Sequence, residues 1–294
     1  LLAILGQSHL DLGNYYEGAM ALEKTVSLDR KYPRAWGALA NCYAELGPHN
    51  DEFYGKAIEA ALMAQEVDPN DATGLVTRSY IELQRCNYDK AFEYAQEGLK
   101  LSQDSTACMF NMAISLLANH MWEEGWFCYD KSLKPRFQRG MPDYGLPLWD
   151  GSPGKVIVVG EQGLGDEVMF ASMIPDIQED TEIVIDTDPK LSRLFSRSFL
   201  CEAWGKKGDD SAQWTRLSDA THWLPMGSLG AFDRQKFEDF PRSPYLVADP
   251  ERRVQWIALL DSLGYKLKVG IAWSGGIPKT VEEFRSLNID ALAP

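Results

Sequence analysis

Four small residues constrain the first half of this chain more than anything else in it. Gly18, Ala57, Ala91 and Gly125 lie 39, 34 and 34 residues apart, and an aromatic stands three positions before each: Tyr15, Tyr54, Tyr88 and Trp122. A recurrence of about 34 residues is the period of a helix–turn–helix unit that cannot bury its apolar face alone and stacks on its neighbours. The small residue lets two helices approach closely, and the aromatic fills the gap beside it. The one long interval is accounted for by about five extra residues around Pro48–Phe53, in a turn between helices, where insertions are tolerated.

This period and residue pattern are the tetratricopeptide (TPR) signature. Residues 1–134 are therefore expected to form about four helix pairs, a TPR α-solenoid. The second repeat is the best formed, with Trp36, Leu39, Ala40, Tyr43, Gly47, Tyr54, Ala57, Ala64 and Pro69 near consensus places. The third and fourth depart from it, and Arg78 and Glu82 stand where apolar residues are usual. The aromatics and alanines read as packing residues. A groove for a protein partner belongs to other positions, so the region is an interaction scaffold or a rigid platform.

Residues 135–154 hold four prolines and four glycines, which marks a boundary. Phe137, Tyr144, Leu148 and Trp149 within it predict a segment packed on the junction, not a free tether. From Lys155 the period changes to α/β alternation. Val156–Val159 is a β-branched run of the kind found in buried parallel strands. Gly160, Gly163 and Gly165 follow it, and then an apolar helix-spaced run from Val168. Thr181–Asp186 predicts a second strand, Asp188-Pro189 the start of a helix through Phe199, and His222–Met226 a short strand. Trp204 and Trp214 flank a polar patch read as a surface loop. Asp249-Pro250 opens a helix that Gly264 ends, and Lys266–Trp273 reads as a further strand leading to the glycine turn Ser274–Gly276. The expected division is 1–134, a linker over 135–154, an α/β lobe over 155–265, and the start of another lobe over 266–294.

The formal net charge is −14 over 294 residues, which leaves no basic excess to replace phosphate counterions. A nucleic-acid partner is not expected. Cys42, Cys86, Cys108, Cys128 and Cys201 include no C-x-x-C pair, so they read as small buried hydrophobes in a reducing, cytoplasmic setting. No apolar run approaches the roughly 18 residues that read as a membrane span.

The glycine spacing G-x-x-G-x-G is neither the dinucleotide fingerprint nor a Walker A loop, which speaks against a nucleotide-binding oxidoreductase. No G-x-S-x-G elbow occurs, and no acidic cluster points to a metal. The stretch GEQGLGDEVMFASMIP does resemble the first strand–loop–helix of bacterial TPR-linked glycosyltransferases, relatives of the heptosyltransferase-like (glycosyltransferase family 9-like) enzymes. Leu164-Gly165-Asp166 followed by an apolar helix with Pro175 carries the resemblance, together with Leu224–Leu229 and Lys268–Gly276. It covers roughly residues 136–294.

The resemblance implies a Rossmann-like parallel α/β lobe, the N-terminal half of a GT-B fold, behind the solenoid. It also implies transfer of a sugar from a nucleotide-sugar donor to an acceptor, without cofactor or metal. A full second lobe would need well over about 100 residues. The chain is thus expected to lack most of the donor-binding lobe and to be inactive alone. By resemblance Asp166 is the general base; by residue type alone it is equally a helix N-cap. Gly163 and Gly165 permit either close approach of a ligand or merely a turn. Glu161 and Gln162 are candidates to meet substrate hydroxyls, with Glu161 equally readable as a solvated loop charge, and His222 either lines the cleft or is structural. Ser274, Gly275 and Gly276, with Lys279 or Arg285, are the candidates for the donor phosphates, with ordinary surface bases as the other reading. The alternative to an enzyme is a non-catalytic TPR adaptor with a degenerate α/β binding domain.

Overall fold

The computed structural model describes residues 1–32, 34–133, 144–178, 181–205 and 219–272. Eight helices come first: α1 Leu2–Asp11, α2 Tyr15–Leu28, α3 Ala35–Leu46, α4 Asp51–Val67, α5 Thr73–Gln84, α6 Tyr88–Leu101, α7 Thr106–Ala118 and α8 Trp122–Leu133. Gly18, Ala57, Ala91 and Gly125 are all buried in the even-numbered helices. Tyr15, Tyr88 and Trp122 open α2, α6 and α8, while Tyr54 lies one turn into α4. The long interval is a 3₁₀ turn at Gly47–His49 together with a longer α4, 17 residues against 14 in α2 and α6. Side-chain caps set two of the starts: Asn50 accepts from the Glu52 N–H at 3.0 Å, and Ser105 from the Cys108 N–H at 3.3 Å.

The contacts divide the chain into two compact units. One holds Leu1–Arg85 with Lys100–Gln103 and the described residues 256–272; the other holds Cys86–Leu99 and Asp104–Gln255. The first unit is built on Leu22, Ala40, Cys42, Ala57, Ala61 and Ile81. Tyr43 donates to Glu23 across α3 and α2.

The second unit joins α7 and α8 to a four-stranded parallel sheet in the order β3-β2-β1-β4, with β1 Lys155–Val159, β2 Glu182–Asp186, β3 Glu202–Trp204 and β4 His222–Pro225. α9 Leu164–Phe170 continues through a 3₁₀ turn into α10 Ile174–Ile177, and α11 Ser192–Phe199 precedes β3. Side chains alternate across the sheet as the two-residue strand period requires. Val156, Val158, Ile183, Ile185 and Leu224 face one core with Trp126, Tyr129, Leu133 and Phe170. Ile157, Val159 and Trp223 face the other with Tyr144. The described part of this segment, residues 144–154, runs along the outer edge of β4. Trp149 N–H donates to Trp223 O at 2.9 Å, and Trp223 N–H to Pro147 O at 3.1 Å. This covers ladder groups that would otherwise be open.

Several local expectations fail. β3 is not foreseen, because a three-residue strand leaves almost no periodic signal; the patch between Trp204 and Trp214 read as a loop lies, from residue 206 on, outside the described residues. α11 begins at Ser192, not at Pro189; Asp188 instead caps a turn, accepting from the Lys190 N–H at 2.9 Å. Cys86 is exposed and Cys201 half-buried, unlike Cys42, Cys108 and Cys128. The helix Pro250–Ser262 is capped by Asp249 as expected, and Gly264 follows it at φ 72°. Residues 266–272 form no strand, and Leu267, Val269 and Ile271 are exposed. An apolar alternation becomes a strand only beside a partner that completes its ladder, and none pairs with it among the described residues. No described helix is long and apolar enough to cross a membrane.

Candidate functional site

The loop between β1 and α9 is built from buried polar contacts. Gly160 N–H donates to Asp186 O at 2.6 Å. Glu161 turns inward and accepts from the Gly227 N–H at 2.8 Å, joining this loop to the one after β4. It is 3% exposed, so it is not a solvated loop charge, and its carboxylate is engaged by the loop after β4. Glu167, fully buried on α9, accepts from the Thr187 hydroxyl and, at 3.1 Å, from the Asp188 N–H. Gly160 is required by that carboxylate: a Cβ there would lie 2.3 Å from Glu167 Oε2.

Gln162 adopts φ 62°, a left-handed conformation that a non-glycine residue holds at a cost. Its amide Nε2 donates to the Tyr129 hydroxyl on α8 at 2.6 Å. Asp166 is not the N-cap expected of it: Gly163 holds that place, and Asp166, third residue of α9, reaches back with Oδ2 to accept from the Gly163 N–H at 3.0 Å. Gly163 and Gly165 are both exposed, and Gly165 has nothing within 4 Å of where a Cβ would be.

β1 and β4 are neighbours, the chain after β1 crosses to β2 on its other side, and ligands of open parallel sheets bind outside the carboxyl ends of strands where the strand order reverses. A cavity of about 480 Å³ opens beside that end, between α7, α8 and α9. Its walls carry the rings of Trp122, Trp126, Tyr129, Phe170 and Phe240. Gln162, Asp166 and Ser172 supply the polar side chains, and Asp166 is the sole charged residue of the lining among the described residues.

The far wall is held by Arg234, which is fully buried. Its guanidinium pairs with Asp176 at 2.6 Å, donates to the Ser172 and Asp239 carbonyls, and lies 5.3 Å from the centre of the Phe240 ring. α8 is tied down by Ser228, whose hydroxyl donates to Asp130 at 3.0 Å. Trp126 packs over Gly230, where a Cβ would lie 2.3 Å from the indole.

The structure thus brings Gln162 and Asp166 together, with Gly163 and Gly165 in the same loop. His222 is not among them. It pairs with Val156 at the amino end of β4, and its Nδ1 lies 2.9 Å from the Thr221 hydroxyl. A strand of this length separates it from the carboxyl end by roughly 10 Å. Ser274, Gly275, Gly276, Lys279 and Arg285 lie outside the described residues. Among the described residues no group of three or more His, Cys, Asp or Glu is placed to hold a metal ion.

Sequence reasoning missed the aromatic wall and its Arg234 brace. Trp122, Trp126 and Tyr129 carry only a packing signal, because the repeat period explains them fully. Nothing local marks Arg234 or Phe240.

No family model matches the chain. Over 193 residues it is 33% identical to Protein FlbA of Caulobacter vibrioides (strain ATCC 19089 / CIP 103742 / CB 15), a match covering 58% of this chain and 32% of that protein. The chain therefore spans about a third of the length of this curated relative. Among solved structures it is similar to TTC0263, a thermophilic TPR protein of Thermus thermophilus, at 20% identity and a TM-score of 0.42, over 45% of this chain and 71% of that one. It is also similar to a mutant O-GlcNAc transferase of Thermobaculum terrenum, at 12% identity and a TM-score of 0.41, over 76% of this chain and 40% of that one. At these values neither structure lends a residue role to this chain. Its architecture is TPR-like helical repeats followed by a small parallel four-stranded sheet.

Proposed function

We propose that this chain carries the acceptor-side, Rossmann-like half of a GT-B glycosyltransferase whose TPR-like repeats serve as a platform for a protein partner. The full-length protein then moves a sugar from a nucleotide-sugar donor to an acceptor. The observation that carries this reading is Asp166 in the wall of a cavity at the carboxyl end of a parallel sheet. The strand order β3-β2-β1-β4 supports it, being the order of the first four strands of a doubly wound nucleotide-binding sheet.

Sugar transfer needs a base to take the proton of the attacking hydroxyl as the bond to the anomeric carbon forms. The Gly163 N–H fixes one carboxylate oxygen of Asp166 and leaves the other to meet that hydroxyl. Gln162, bonded to Tyr129, borders the same space and orients the acceptor. Ser274–Gly276 with Lys279 or Arg285 would stabilise the departing diphosphate, as the family resemblance implies.

The test is Asp166→Asn in the full-length protein. Asn keeps an oxygen that can accept from the Gly163 N–H and loses only the carboxylate's attraction to the helix N-terminus, about 0.3–1 kcal/mol, so the melting temperature should fall by no more than a few degrees. Turnover of the nucleotide sugar should fall by about 10²–10⁴-fold, the usual worth of a general base. Wild-type turnover in the variant would sink the assignment.

A second reading is a non-catalytic TPR adaptor with a degenerate α/β domain. It is favoured by the engagement of Asp166 with the Gly163 N–H and by the largely apolar lining of the cavity. Calorimetric titration of the full-length protein with a panel of nucleoside diphosphates separates the two. Saturable binding supports the transferase, and its absence across the panel supports the adaptor.

A further inference from the structure

We propose that the cavity between α7, α8 and α9 receives an aromatic ring of the acceptor whose adjoining polar group is a hydroxyl or an amine, and that Asp166 selects against an anionic one. The proposal rests on the acceptor-side reading above and names the class of group that side takes.

The shape of the site comes from five rings, those of Trp122, Trp126, Tyr129, Phe170 and Phe240. Trp126 meets Tyr129 and Phe170 edge-on, at 5.7 and 6.3 Å between centroids. Trp122 and Phe240 lie 4.7 Å apart. Such walls favour a flat apolar guest, which gains offset-stacked or edge contacts beyond simple burial. A volume of about 480 Å³ is within the range of small-molecule sites.

Polarity narrows the class. Asp166 is the only charged side chain of the lining among the described residues, and no lysine or arginine there offsets it. A carboxylate or phosphate on the guest would meet this charge at close range, where like charges repel. A hydroxyl or ammonium would instead donate to it. Arg234 keeps the wall in place from behind through Ser172 and the Phe240 ring, and its own charge is taken up by Asp176.

The test uses this chain labelled at its methionine methyl carbons. Met169 and Met173 line the cavity, while Met20 and Met63 belong to the other unit and serve as internal controls. The probes share one ring and differ in charge: indole-3-ethanol, tryptamine and indole-3-propionate. The alcohol and the amine should shift the Met169 and Met173 methyl signals and leave Met20 and Met63 unmoved. The propionate should bind at least about tenfold more weakly, the equivalent of about 1.4 kcal/mol. Asp166→Asn should bring the propionate to within about twofold of the alcohol, and Ala118→Phe, which fills the cavity, should abolish all three shifts. The proposal is overturned if no probe moves Met169 or Met173, if the three bind equally, or if the discrimination survives Asp166→Asn. No donor sugar enters this assay. Its failure leaves the turnover test of Asp166 standing, and a failed turnover test leaves the binding result intact.

Discussion

Gly165, in the first turn of α9, and Gly230, behind Trp126, stand near the cavity, and the structure gives them opposite roles. A Cβ on Gly230 would lie 2.3 Å from the Trp126 indole, which is packed among Tyr129 and Phe170. Gly230→Ala must therefore displace the cavity wall, and overpacking of this kind costs about 1–3 kcal/mol, to be read as a lower urea midpoint. Gly165 is helical and open on all sides. Gly165→Ala should leave stability unchanged or raise it by up to about 1 kcal/mol, since Ala is the better helix former. If Gly165→Ala is destabilising, the loop needs glycine for its own conformation and the open space beside it is not for a ligand. The sequence spacing of Gly160, Gly163 and Gly165 marks the loop but cannot assign these roles. The reason for Gly160 is the buried carboxylate of Glu167, and the reason for Gly227 is Glu161 with Tyr129, contacts made only once the chain has folded.

Among the elements, those with a strong period were legible and those without were not. The helix pairs follow from the 34-residue recurrence, and β1 from a β-branched run that both faces of a parallel sheet bury. β3 carries three residues, too few to show alternation, and residues 266–272 show alternation without acquiring a partner strand. The place of Asp166 beside a loop was readable from Leu164-Gly165-Asp166. The opposing aromatic wall was not, because α7 and α8 read only as repeat. Burial also leaves a titratable mark on α3. Desolvation raises the Glu45 carboxyl above its ordinary range, opposed by a hydrogen bond from Tyr80. The folded state then holds this proton more tightly than the unfolded state, so the charged form costs stability at neutral pH and that cost fades as pH falls through the raised pKa. Glu45→Gln should accordingly be more stable than wild type at pH 7. Urea midpoints should converge as the pH is lowered through the raised pKa, and a gap that widens on acidification would contradict the burial argument.

At the scale of the whole molecule, composition and period change over residues 135–154, whereas the contacts divide the chain near Arg85. The difference comes from α8, which is a repeat helix by sequence and a wall of the sheet's core by packing. Leu116, Trp126, Tyr129 and Leu133 enter the same apolar cluster as Val156, Val158, Phe170 and Leu229. Each large side chain buried there is worth about 1.5–3 kcal/mol. Four of them together match the total stability of an ordinary domain, which is about 5–15 kcal/mol. The sheet should therefore not fold without them. A polypeptide of residues 86–255 is expected to unfold cooperatively in urea, with dispersed amide signals and the Tyr129–Gln162 bond in place. One of residues 155–255, which keeps every strand but loses α7 and α8, should expose Phe170, Ile174 and Leu229, bind hydrophobic dyes and lack a cooperative transition. If the shorter polypeptide instead melts at the same midpoint as the longer one, the helices are mere neighbours of the sheet, and the cavity between them has no claim to be part of a single built site.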